Sequence, residues 1–176
     1  GTQNVAVGSL ALDANTTANN NTAIGYSSLT ANTTGTANVA IGKNALLSST
    51  TGDFNTAVGT DSLDAVTTGD NNTAVGDRAL SANTTASNNT AFGGQALFAN
   101  TTGYNVTAVG AYALDAHTTG NNNTAVGYNS LTTLTTGYAN VGVGSGSLQD
   151  ATTAANSTVV GHNAGTDVTT AQQSTF

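Results

Sequence analysis

Few side chains in this sequence are equipped for chemistry, and they do not stand in patterns that perform it. All nine acidic residues are Asp, at Asp13, Asp53, Asp61, Asp64, Asp70, Asp77, Asp115, Asp150 and Asp167. A pair of carboxylates can hydrolyse a glycosidic bond, and Asp61 with Asp77 is the pair whose spacing comes nearest to bringing two together. Scattered, solvated Asp explains the distribution better. His117 and His162 are isolated, and with no Cys and no periodic Asp beside them neither a metal site nor a catalytic triad is expected. Gly-Gly-x-Gly-x-Asp does not occur, so regular calcium loading is not expected either. The expectation is a protein that is not an enzyme and has no catalytic residue, cofactor or metal.

Three other residue types could recognise something. Five Tyr, at Tyr26, Tyr104, Tyr112, Tyr128 and Tyr138, could stack on sugar rings or anchor a protein partner, or could simply cover turns. Thr-Thr recurs from Thr16-Thr17 to Thr169-Thr170. Stacked hydroxyls raise the idea of an ice-binding face, but adjacent residues of an extended stretch point to opposite sides, and the position two beyond the second Thr is Asn19, Thr36, Asp53, Asp70, Ser87 and Tyr104, which is no Thr column. A turn whose hydroxyls satisfy backbone groups is the simpler account. Asn-x-Thr triplets such as Asn15-Thr16-Thr17 match a glycosylation acceptor, yet they follow from any repeat rich in Asn and Thr.

What positions these residues is a strict period. Asn4-Val5-Ala6-Val7-Gly8 returns as Asn21-Thr22-Ala23-Ile24-Gly25, then as Asn38-Val39-Ala40-Ile41-Gly42, and so on at the same interval to Ser157-Thr158-Val159-Val160-Gly161, with the closing Gly in every copy. A short repeat without insertions is the signature of a solenoid. The whole chain, residues 1–176, reads as one array of ten 17-residue repeats, entered and left in mid-repeat and so expected to be a segment of a longer protein.

Within a repeat, the motif is extended and rich in β-branched residues, Gly ends it, a segment ending in Leu reads as a second short strand, and Thr-Thr-Gly turns the chain back. Helix is the rival, opposed by the recurrent Gly and the dense Thr and Asn. Parallel coils spaced by about 4.8 Å would make a rod of roughly 50 Å, with the motif Asn stacked into an amide ladder.

Alternation along the strand carries the inference about partners. Ala lies on one face, and Val7, Ile24, Ile41, Val58, Val75, Phe92, Val109, Val126, Val143 and Val160 lie on the other. A strand apolar on both faces is covered on both. The small Ala column suits a narrow interior and the larger column suits another chain, and the reverse assignment of the two faces leads to the same conclusion. The Leu column from Leu12 to Leu148 adds a second apolar stripe, thin support for so long a coil, so association with other copies is expected.

Charged residues make up 6% of the sequence and the net charge is −7, with Lys43 and Arg78 the only cations. No basic stripe exists to neutralise nucleic acid or anionic lipid, and no apolar run approaches a membrane span.

The motif Asn-Thr-Ala-Val-Gly-x-x-Ser/Ala-Leu resembles the head repeats of YadA-like trimeric autotransporter adhesins. In its 17-residue length and Thr-Thr-Gly turn it is more similar to the repeat arrays of phage and bacterial tail-fibre proteins. The resemblance runs from Asn4 to Gly161, with departures at Val106, where the Asn is shifted to Asn105, and at Gly165, which replaces Leu. It implies a left-handed parallel β-roll in a homotrimer, with the apolar column at the interface. It also implies an extracellular fibre segment, on a virion or bacterial surface, that serves attachment to a host glycan or protein receptor. A self-assembling structural filament is the alternative expectation, ahead of an ice binder or a glycan-degrading tailspike.

Overall fold

A motif such as Thr22-Ala23-Ile24 can hold an extended conformation only as far as Gly25, because that glycine turns the backbone to φ 137°. Each repeat therefore contributes a strand of three residues, from β1 (Val5–Val7) to β10 (Thr158–Val160). In the computed structural model, which describes residues 1–170 and 172–175, the ten strands form one parallel sheet in sequence order. Each residue pairs with its equivalent in the next repeat, Ala23 with Ala40 and Ile24 with Ile41. The chain is thus an all-β parallel solenoid of about nine turns, without helix among the described residues. Bridges from Ala155 to Gln172 and from Thr158 to Thr175 continue the register past the last strand; Phe176, at the end of the partial repeat with which the sequence closes, lies outside the described residues.

The expected second strand does not form. After Gly25 the backbone is left-handed at every second residue, with φ 53° at Ser27 and 51° at Leu29, and the same pair recurs at Asn44 and Leu46 and at Arg78 and Leu80. Left-handed residues cannot lie in a pleated strand. Coil-to-coil hydrogen bonding continues regardless: Ser27 N–H donates to Ser9 C=O at 2.9 Å, and Leu29 N–H to Ala45 C=O at 2.9 Å. The corner keeps its backbone satisfied while driving Leu inward, which a side chain on a flat second strand would not require.

The central coils bury the same positions. The strand Ala, the Leu and the small residue before it are inaccessible from Ala40, Ala45 and Leu46 through Ala108, Ala113 and Leu114. The motif Asn is buried with them, and its amide joins three coils. Asn38 Oδ1 accepts the N–H of Asn55 at 2.9 Å, Asn38 Nδ2 donates to Gly52 C=O at 2.8 Å, and the N–H of Asn38 reaches Asn21 Oδ1 at 2.9 Å. A buried backbone N–H must be paired, and here a side chain of the preceding coil pairs it.

Candidate functional site

With Ala inward, the residues on either side of it point out. Ala23 is inaccessible, Thr22 is half-buried and Ile24 is 38% exposed. The same holds for Val39-Ala40-Ile41 and Thr90-Ala91-Phe92. Alternation thus assigns the two faces as the Ala column suggests, and the larger apolar column is left uncovered by the chain itself. Val7, Phe92 and Val160 are more than half exposed; Val58, Val75, Val109 and Val143 are half-buried.

The outward face has two columns, and nearly all of it is β-branched. One carries Thr or Val at every repeat, from Val5 and Thr22 to Val141 and Thr158; the other carries Val or Ile, broken only by Phe92. β-Branched side chains have few rotamers, so the face is a regular, stiff surface of methyl groups with interspersed hydroxyls. A long apolar stripe on a polar rod is a feature of interaction surfaces.

The tyrosines are all exposed, by 37% to 55%. The solenoid brings together only Tyr112 and Tyr128, whose rings meet edge to face with centroids 6.1 Å apart. Tyr104 and Tyr138 occupy equivalent positions two coils apart, with Asn121 between them, and Tyr26 lies several coils away.

Several of the remaining sequence candidates are engaged in local hydrogen bonds, while Asp77, the second member of the carboxylate pair, is exposed. Asp61 accepts Asn44 Nδ2 at 2.9 Å, Asp64 accepts the Ser81 hydroxyl at 2.6 Å, and Asp115 accepts the Thr132 hydroxyl at 2.5 Å. Burial raises the carboxyl pKa of Asp64, opposed by the Ser81 bond. In the Thr-Thr pairs from Thr16 to Thr152 the first hydroxyl donates to the carbonyl of its equivalent in the next coil, as from Thr50 to Thr67 at 3.1 Å. The second Thr is exposed along the whole file.

Sequence reasoning missed two further columns. The position after Thr-Thr-Gly varies in residue type, yet where it is Asn, Asp or Ser its side chain accepts a backbone N–H from the coil before it. Asp53 Oδ1 takes the N–H of Thr36, Asp70 Oδ1 that of Asp53, and Asn121 Oδ1 that of Tyr104. The shared property is an acceptor atom, which residue identity conceals. The second column precedes Thr-Thr and is interior. Asn32, Ser49, Val66, Asn83, Asn100, His117 and Leu134 are all inaccessible. Nothing in the mixed residue types of that column announces burial.

His117 is the one ionisable member. Its Nδ1 lies 3.1 Å from Asn100 Oδ1 and its Nε2 lies 3.1 Å from Asn123 Nδ2. Burial lowers its pKa to about 4. Comparison with family models, with curated proteins and with solved structures returned no match, so the functional reading rests on the geometry of the rod.

Proposed function

We propose that the chain is a non-enzymatic segment of a homotrimeric, left-handed β-roll fibre, carried on a virion or bacterial surface, that serves attachment to a host cell. The observation that carries this reading is the uncovered column from Val7 to Val160. Three copies that turn these columns toward a common axis would remove the apolar stripe from water, with the hydrophobic contribution scaling with the area covered. The resemblance of the motif to adhesin heads and tail-fibre arrays supports the same assembly.

In such a fibre the specificity lies in what the period leaves free. The exposed pair of Tyr112 and Tyr128, with Tyr26, Tyr104 and Tyr138, supplies aromatic faces for a glycan or a protein receptor. The test is binding of the assembled protein to immobilised host surface. Replacing both Tyr112 and Tyr128 by Ala should lower binding without changing assembly; unchanged binding would remove these residues from the site.

A second reading is favoured by the Thr/Val and Val/Ile columns of the strand face. They supply the two parallel outward columns that Thr-Thr lacks, so a single chain with this face free would present a regular surface to ice. Thermal hysteresis from a monomer would support this reading; a trimer without hysteresis would eliminate it.

A further inference from the structure

The coil that begins at Val106 differs from the others in two interior places at once. Val106 stands where eight of the ten repeats have Asn, and His117 stands in the interior column whose nearest members toward the N-terminus are Asn83 and Asn100. The substitutions compensate each other. Val106 has no side-chain oxygen to offer the next coil, so the amide ladder is broken there. The imidazole restores a link by another route, reaching Asn100 in the coil before and Asn123 in the coil after. Its effect on the first of these is specific: Asn83 Oδ1 has no partner, whereas Asn100 Oδ1 holds both His117 Nδ1 and, at 3.1 Å, the N–H of Gly103.

We propose that His117 makes this coil an acid-sensitive joint, at which protonation of the imidazole uncouples the coils preceding Val106 from those that follow. The link works only in the neutral form. Asn100 Oδ1 requires a proton on Nδ1, and Asn123 Nδ2 requires a lone pair on Nε2. A second proton would point Nε2–H at an amide NH2. The amide cannot turn over to accept it, because Asn123 Oδ1 already holds the backbone N–H of Asn140 at 3.0 Å and Asn140 Nδ2 at 3.1 Å, while Asn123 Nδ2 holds Gly137 C=O at 2.7 Å. Turning Asn123 would break the ladder on its far side.

The ring also has no room to move away. A Cβ on Gly103 would fall 2.7 Å from His117 Cε1, and one on Gly120 would fall 2.9 Å from Nε2. No charged group meets it. The other titratable residues of its own and the two adjoining coils are Tyr104, Tyr112, Tyr128 and Tyr138, all exposed, and Asp115, which is half-buried and bonded to Thr132. An imidazolium here would be buried and unpaired, an arrangement that costs a folded chain heavily. Since each coil of a solenoid contacts only its neighbours, loss of one coil's links separates the two blocks on either side of it.

The test is amide hydrogen exchange of the whole chain between about pH 7 and 3.5, read beside the nitrogen resonances of His117 in a His162→Ala background that leaves one imidazole. Exchange rates are corrected for their intrinsic pH dependence. The ring should remain neutral, with its proton on Nδ1, well below the ordinary histidine range. As pH falls below the ordinary histidine range, protection within residues 100–140 should fall by about tenfold per pH unit while the closed ring is still neutral, and should level off once the ring itself titrates, while residues 22–75 stay protected. His117→Asn installs the residue that the column carries at Asn83 and Asn100, so the variant should fold and lose this local step. Titration of the ring with protection unchanged, or loss of protection along the whole array as one unit in both proteins, would overturn the proposal.

Discussion

Gly76 and Gly93 approach so closely that a Cβ on Gly76 would lie 2.5 Å from the carbonyl oxygen of Gly93. The same contact recurs from Gly8 to Gly144, always at φ between 131° and 138°. Two independent constraints thus fall on one position. The backbone angle disfavours any L side chain, and the stacking distance leaves no volume for one.

Gly76→Ala tests this directly. It should destabilise the rod by about 2–4 kcal/mol, the sum of a strained backbone and a contact that must open. The change would be seen as a lower midpoint in chemical denaturation. The same change at the neighbouring Gly94, where a Cβ would meet nothing within 4 Å, should be close to neutral.

The Leu column carries a constraint of a different kind. Leu80 is inaccessible and sits at φ 55°. A Leu-to-Ile exchange in an ordinary core usually costs less than about 1.5 kcal/mol. Here the branched Cβ meets a left-handed backbone that such residues avoid, so Leu80→Ile should cost more than about 2 kcal/mol, whereas Leu80→Met should stay within the ordinary range. Equal losses for the two would show that volume alone matters at this corner.

Acid should weaken the fold through His117, and the sign follows from which state binds the proton. The folded pKa is lowered to about 4 from 6.5, so above 6.5 both states are neutral and the group has no effect. Between 6.5 and about 4 the unfolded chain takes up a proton that the folded chain refuses. Stability then falls by up to about 1.4 kcal/mol per pH unit. His117→Asn should flatten the denaturation free energy across that window. Asp64 acts oppositely: its raised pKa means the folded state binds a proton more readily, so its contribution grows as pH falls through the carboxylate range.

Much of this architecture is legible in the residues. The period fixes the register and the motif Asn forms its ladder, while the Ala and Val columns show that both strand faces are apolar and only suggest which is inward. The second strand misleads because Ser27 and Leu29 carry no mark of a left-handed backbone; that conformation is imposed by the inward pull on Leu and by the hydrogen bonds to adjacent coils. The acceptor column of Asp53 and Asp70 was hidden for another reason. Its Asn, Asp and Ser members share an acceptor oxygen at one place rather than a residue type, and Tyr104 and Tyr138 interrupt the file. His117 looks isolated in sequence because its partners, Asn100 and Asn123, belong to other coils.

The outward column can be disrupted without touching the interior. Ile24 and Ile41 are 38% and 37% exposed in the single chain, so Ile24→Asp with Ile41→Asp should leave the parallel sheet of a lone solenoid standing. In a trimer the same changes bring six carboxylates to the axis, where like charges repel and lose water. The double variant should therefore lose its assembly, and its thermal midpoint should fall by more than surface substitutions cause, about 0.5 kcal/mol each. A variant that keeps the assembly and stability of the parent would place the interface elsewhere.

Assembly through the outward strand face is the central claim, and sedimentation equilibrium of the unmodified chain tests it most directly. The account predicts a single species of three times the 17.2 kDa chain mass that persists on dilution. A species of 17.2 kDa, with the column from Val7 to Val160 left to solvent, would contradict it.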